Sequence, residues 1–223
     1  MKKLIVFSAL LVAVVAAVGI PLVTWWSSVG NPVDYFGGYM PPGQQAYILS
    51  KLAGLLAISL FWLQCLFALG KRFSGAAFAQ FCGHRSHVAL GSLTLIMVLL
   101  HVSLFFAAVS IRTGSPAWGL LVPKFSHGYY NQQVTLGLIA FLLLCVGAFA
   151  GWKTAIGSEK WRIGHYLWLL VLPLAFIHAL SIGTESRLPI MFYFLLVMPI
   201  ILFFIGFFRV GNHFLRRSYV STR

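Results

Sequence analysis

Seven histidines occur in the chain, and four of them fall in pairs inside long apolar stretches. His87 and His101 bracket thirteen uncharged residues in HVALGSLTLIMVLLH, and His165 and His178 bracket twelve in HYLWLLVLPLAFIH. On a helix, fourteen residues turn through roughly 1400°, about 40° short of four turns, so His87 and His101 share a face and stand roughly 21 Å apart along the axis. That is too far for both to bind one metal ion, and it suits two sites stacked along the helix. The second pair repeats the separation at roughly 19.5 Å, so two parallel helices would set His87 level with His165 and His101 level with His178. The match in phase is poorer: thirteen residues leave His178 roughly 140° from His165 on an ideal helix, with Pro173, a residue that kinks helices, between them.

Two facing imidazoles with no Asp, Glu or Cys at their depth make a poor site for a bare ion, because hard cations prefer oxygen ligands and structural zinc takes four ligands. They suit the two axial positions of a low-spin haem, whose porphyrin supplies the other four nitrogens. Two pairs imply two b-type haems, or one if His87 does not ligate. Covalent c-type attachment is excluded because there is no CxxCH.

The elements that must position these residues follow from composition. The 223 residues are 60% hydrophobic and 9% charged, with a mean hydropathy of +0.92, far from the composition of soluble domains. Crossing a hydrocarbon core of about 30 Å takes about 20 helical residues. Runs of that kind lie near 4–23, 47–69, 86–110, 133–152, 163–183 and 189–208. The expected fold is an all-α membrane protein, a six-transmembrane-helix bundle forming one domain over 1–223.

The net charge of +13 would suggest nucleic acid in a soluble protein, but its placement fits a bilayer. Lys2, Lys3, Lys71, Arg72, Arg85, Lys153, Lys160, Arg162, Arg209, Arg216, Arg217 and Arg223 fall at the termini and even-numbered connections, against Lys51, Arg112, Lys124 and Arg187 opposite. Basic residues beside helix ends resist translocation, so both termini are expected in the cytoplasm. The opening MKKLIVFSALLVAVVAAVGIPLVTWW has a signal-peptide-like basic start and apolar run, but no small-x-small cleavage site precedes a polar mature start. It reads as a retained first helix.

Other residues take secondary parts. Gly91 follows His87 by one turn and Gly164 adjoins His165, removing bulk where a flat macrocycle could approach the backbone. Arg85 and Arg162 lie close to the inner histidines and could pair with haem propionates. Met97 and Trp168 are candidate relays between haems, or ordinary filler. His84 is an alternative inner ligand, three residues from His87, while His127 and His213 read as interfacial. The aromatics Trp25, Trp26, Tyr35 and Tyr39 suit the membrane interface. Cys65 and Cys145 lie in helices and Cys82 near the cytoplasmic face, away from any extracytoplasmic disulfide. No GxGxxG or GxxxxGK[ST] nucleotide motif is present. The three acidic residues, Asp34, Glu159 and Glu185, read as loop or helix-end groups, which weakens the alternative of a haem or metal transporter with proton-relaying carboxylates.

The stretches HRSHVALGSLTLIMVLLHVSLFF and WRIGHYLWLLVLPLAFIHALSIG resemble the paired motifs of the ferric reductase-like transmembrane domain. Ferric reductases, NADPH oxidases and the haem-binding membrane subunit of the bacterial methionine sulfoxide reductase system share that domain. The similarity spans the six helices. It implies that His87 and His165 ligate a cytoplasmic-side haem and His101 and His178 an outer one. Electrons would pass from a cytoplasmic flavin reductase or the quinol pool to an extracytoplasmic acceptor: a reductase partner, ferric iron or oxygen. It further implies residence in a bacterial inner membrane. The sequence departs from the oxidases in carrying no flavin and NADPH domain after the sixth helix. It is similar in size to the sulfoxide reductase subunit, whose NPVDYFGGY-like loop it also has, although those subunits can carry a non-histidine at the place of His87.

Overall fold

The computed structural model describes residues 2–36, 40–70, 83–126, 128–152 and 161–221. Its helices are α1 (Lys2–Val29), α2 (Pro32–Phe36), α3 (Gln44–Gly70), α4 (His84–Thr113), α5 (Tyr129–Trp152), α6 (Trp161–His165), α7 (Trp168–Ile182) and α8 (Pro189–Ser221). Short 3₁₀ turns lie at Trp118–Leu121 and Glu185–Arg187, and there is no strand among the described residues. Six spans are long and apolar enough to cross a membrane: Phe7–Val29, Gln44–Leu69, His84–Thr113, Tyr129–Trp152, Ile163–Ile182 and Pro189–Phe208. They fall on the six expected runs, and the fifth consists of α6 and α7 together. The chain is a multi-pass membrane protein by length and composition of its helices.

α3 is the centre of the bundle, packed against α1, α4 and α8. Its best apolar window is 56% buried, whereas the corresponding windows of α4, α5 and the fifth span are each 11% buried. The core accordingly gathers on α3 and α8, around Leu63, Met191, Leu195 and Met198, all nearly inaccessible. Two indoles tie α3 to its neighbours: Trp25 Nε1 of α1 donates to the Ile48 carbonyl, and Trp62 Nε1 to the Met198 carbonyl of α8, each at 2.9 Å. In hydrocarbon there is no water to satisfy an N–H, so a buried indole must find such a partner. Trp25 is thus a buried helix clamp and not the interfacial anchor expected, while Trp26 is exposed. Tyr35 packs partly buried against the core, and Tyr39 lies outside the described residues. Gly43, at φ 77°, turns the chain into α3 so close to α4 that a Cβ would stand 2.4 Å from the Ala108 carbonyl oxygen. Only glycine takes both that dihedral and that approach.

The remaining helices pair off: α4 lies along α3, and α7 along α5, while α4 and α7 scarcely approach one another along their backbones. A gap therefore separates the two histidine-bearing spans, and their low burial follows from facing it on one side and the bilayer on the other. In the fifth span the helix breaks after His165. Tyr166 N–H donates to Ile163, Leu167 to Gly164, Leu169 to Tyr166 and Leu170 to Leu167, all three residues back. Such 3₁₀ winding turns about 120° per residue instead of 100°, which carries His178 toward the azimuth of His165. Four such steps of about 20° each recover roughly 80° of the 140° mismatch read from the sequence, beginning seven residues before Pro173.

Candidate cofactor sites between the histidine pairs

The structure brings the four histidines together in the expected pairs. The His101 and His178 rings lie with centroids 6.3 Å apart and planes at 73°, and those of His87 and His165 at 5.9 Å and 77°. On the continuous α4, the two levels are roughly 21 Å apart.

Each outer imidazole is held by a helix carbonyl that a glycine exposes. His101 Nδ1 lies 2.8 Å from the Ser50 carbonyl oxygen, with the Ser50 hydroxyl 3.2 Å away. His178 Nδ1 lies 2.8 Å from the Gln133 carbonyl oxygen. A carbonyl can only accept, so Nδ1 carries the proton and Nε2 keeps its lone pair. Four residues after each carbonyl stands a glycine. A Cβ at Gly54 would be 2.9 Å from His101 Nδ1, and one at Gly137 2.6 Å from His178 Nδ1. The missing side chains let the rings reach helix backbone. The N–H edges point to α3 and α5, so the Nε2 edges point away from those helices into the gap. At the inner level Gly151 lies beside the ring of His165, its Cβ position 3.4 Å from Nδ1, an ordinary contact.

With nitrogen–metal bonds of about 2 Å and ring centroids about 1 Å behind the nitrogen, two imidazoles sharing one metal stand about 6 Å apart, which both pairs satisfy. Neither pair is a complete site for a bare ion, since no cluster of three or more His, Cys, Asp or Glu is found among the described residues. A group that brings its own in-plane ligands fits the donor set. Around the outer pair lies a cavity of about 230 Å³, walled by Gly54, Val98, Val102, Gly137 and Phe141, with Tyr47, Lys51, Tyr130 and Glu185 toward its outer end. It exceeds the roughly 150 Å³ voids that admit a benzene ring, so it has room for an organic ring system.

Other expected site residues fall elsewhere. Arg85 is exposed and two positions before His87, about 200° around the helix from it. The side chain of Arg162 lies outside the described residues, as do His127 and the side chain of His213. His84 is exposed at the start of α4, and the ring that faces His165 is that of His87. Neither Met97 nor Trp168 lines the cavity, and Trp168 packs against the core. Gly164 is occupied by a helix contact, its Cβ position 2.7 Å from Ala150 Cβ, and Gly91 by the Gln64 amide. The glycines that touch imidazoles are Gly54, Gly137 and Gly151; a fourteen-residue step from Gly137 to Gly151, equal to that from His87 to His101, was the signal in the sequence.

Glu185 also departs from its reading as a helix-end residue in a tight link. It is only 2% exposed, paired with Lys51 and accepting from the Ser28 hydroxyl at 3.0 Å and the Thr184 hydroxyl at 2.8 Å. Burial alone would raise its pKa. The hydrogen bond and charge of Lys51, helped by Thr184, outweigh that and hold the carboxyl below its ordinary value. The pair fastens the link between α7 and α8 to α1 and α3 at the wall of the outer cavity.

The fold and site define a class: a six-span membrane protein with two histidine pairs stacked between its helices. Comparison with family models, curated proteins and solved structures gives no match to this chain.

Proposed function

We propose that the protein carries electrons across a bilayer through two b-type haems, one between His101 and His178 and one between His87 and His165. What supports this best is the pairing itself: two imidazole pairs at centroid separations of 6.3 and 5.9 Å, the outer two with Nδ1 tied to backbone and Nε2 free. When bound, each haem supplies a one-electron carrier. The chain's part is to hold and tune it. The Ser50 and Gln133 carbonyls orient the outer imidazoles and make them better donors. Val98, Val102 and Phe141 give the outer cavity an apolar lining. The roughly 21 Å step along α4 sets the distance from one level to the next.

In this reading both termini lie in the cytoplasm, as the division of Lys and Arg favours, and the membrane is the inner membrane of a bacterium. Electrons enter from a cytoplasmic flavin reductase or from quinol, and leave to an extracytoplasmic acceptor such as a reductase partner, ferric iron or oxygen. The chain is then a ferric reductase-like transmembrane protein, similar in size to the haem-binding subunit of the methionine sulfoxide reductase system. The test is a reduced-minus-oxidised spectrum of purified protein with pyridine haemochrome quantification. Two b haems per chain are expected, and no retained haem after expression with ample haem supply would overturn the proposal.

A further inference from the structure

The outer cavity is apolar in its body and polar at one end. Leu55, Ile58, Val98 and Phe141 line the body, while Tyr47, Lys51, Tyr130 and Glu185 line the outer end. The two phenols are placed alike. Tyr47 stands three residues before Ser50 and Tyr130 three before Gln133, the residues whose carbonyls hold His101 and His178. α3 and α5, the second and fourth spans, run in the same direction, so both tyrosines lie roughly 4.5 Å outward of those carbonyls. Helix side chains lean toward the N-terminal end, which here is the outer one. Two phenol donors therefore share one height beyond the outer imidazoles.

The same end carries positive charge. Lys51 Nζ lies 5.2 Å and Arg112 Cζ 5.7 Å from the centre of the Tyr47 ring. Arg112 donates to the neutral Gln44 side-chain oxygen at 2.9 Å, and Lys51 pairs with Glu185. Among the described residues around Tyr47, two cations thus stand against one carboxylate. An ammonium carries three N–H donors, so Lys51 has the capacity to serve Glu185 and a second acceptor in the cavity together. The occupant that matches both parts has a flat apolar body and anionic groups on one edge.

We infer that Lys51, with Tyr47 and Tyr130, forms the carboxylate-binding end of the outer site and receives the propionates of the ring held between His101 and His178. This rests on the proposed haem reading and adds to it which edge of the ring faces outward. Lys51 contributes most, because a hydrogen bond between two charged groups is roughly twice as strong as a neutral one. The tyrosines add neutral O–H donors at the same height.

The experiment compares b haem with its dimethyl ester, in which both carboxylates are capped. Each is titrated into full-length protein carrying His87→Leu, which keeps the outer histidine pair intact, and binding is followed by absorbance. The acid should bind roughly tenfold more tightly than the ester. Glu185→Gln leaves Lys51 in place and should keep or widen that preference. Adding Lys51→Met to Glu185→Gln removes the ammonium without stranding a buried carboxylate, and should abolish most of the preference. Tyr130→Phe should take away a smaller share. Equal binding of acid and ester before Lys51 is changed would overturn the inference and leave the haem reading standing. So would a preference that is the same in Glu185→Gln and in the double variant, since the ester would then be rejected for its bulk alone. Protein with the outer pair intact that binds neither ligand overturns both.

Discussion

Replacing Gly137 with alanine would put a methyl carbon 2.6 Å from both Nδ1 and Cε1 of His178, where unstrained contacts are about 3.5–4.0 Å. The methyl is fixed to the α5 backbone, so the ring must withdraw by about 1 Å. Nδ1 starts 2.8 Å from the Gln133 oxygen, and a withdrawal of that size takes it beyond hydrogen-bonding range. The direct loss is about 1 kcal/mol, and Nε2 loses its aim as well. Losing an outer-shell partner of a ligating histidine typically costs about 10–100-fold in affinity. The other glycines grade the effect: at Gly54 the Cβ would be 2.9 Å from His101 Nδ1, and at Gly151 3.4 Å from His165 Nδ1. Haem per chain and the low-spin electron paramagnetic resonance signals of each centre read the result. Gly137→Ala should deplete the outer haem most, Gly54→Ala less, and Gly151→Ala should leave the inner haem almost intact. Thermal unfolding of the apo chains should change little or improve, because alanine favours a helix over glycine by up to about 1 kcal/mol. Full retention of both haems with unchanged spectra in Gly137→Ala would refute the argument, as would loss of the inner haem alone.

Further outcomes follow from the same geometry. His101→Leu or His178→Leu should remove the outer haem and spare the inner one, read as one b haem per chain by pyridine haemochrome; loss of both, or of neither, would break the assigned pairing. Glu185→Gln should destabilise the folded protein by roughly 2 kcal/mol at neutral pH, because it leaves Lys51 without its carboxylate; the figure is below the 3–5 kcal/mol of a fully buried pair since the Lys51 side chain is 22% exposed. The folded-state pKa of Glu185 is depressed, so its stabilisation is complete above the unfolded value of about 4.3 and fades as pH falls through the lower folded value. The wild-type and Glu185→Gln melting curves should therefore converge on acidification below about pH 4, and a gap that persists or widens there would contradict the ion pair.

Much of the fold was legible in the sequence because a bilayer leaves few choices. Twenty-residue apolar runs must be helices, since only a helix satisfies its own backbone in hydrocarbon, and the described spans lie on the six expected runs. The histidine pairing was legible for the same reason, as parallel spans of matched spacing put matched residues at one depth. Relationships between helices were not. Trp25 was read as interfacial because indoles are common there, and nothing local to it reveals that Ile48 offers a carbonyl. Glu185 sits in a short link and read as a loop or helix-end group, but the partners that bury it lie on α1 and α3. Gly91 and Gly164 were correctly marked as places of close approach, yet what approaches them is Gln64 and Ala150, because an absent Cβ does not name its neighbour. The phase of His178 could not be recovered from ideal helix geometry because the 3₁₀ bonds around His165 carry no proline, and the single glycine among their residues, Gly164, does not by itself announce a change of winding.

The glycine-exposed carbonyl also explains how two neutral helices can act as second shells in a membrane. Ligating histidines elsewhere often donate to a carboxylate, but a buried carboxylate needs a compensating cation and is expensive in hydrocarbon. A helix carbonyl is already bonded to the N–H four residues on, and its second lone pair is unused; what normally blocks it is the side chain at that same later position. Placing glycine there, as Gly54 serves Ser50 and Gly137 serves Gln133, opens the lone pair without adding charge. The two levels are not copies of each other. Fourteen residues after Gly54 stands Ala68, and fourteen after Ser50 stands Gln64. The α3 side of the inner site thus has an amide where the outer site has a serine, and no glycine to expose the backbone beyond it. In the proposed haem reading, two stacked centres with different second shells would hold different potentials, and a difference of that kind would give electron flow between them a direction.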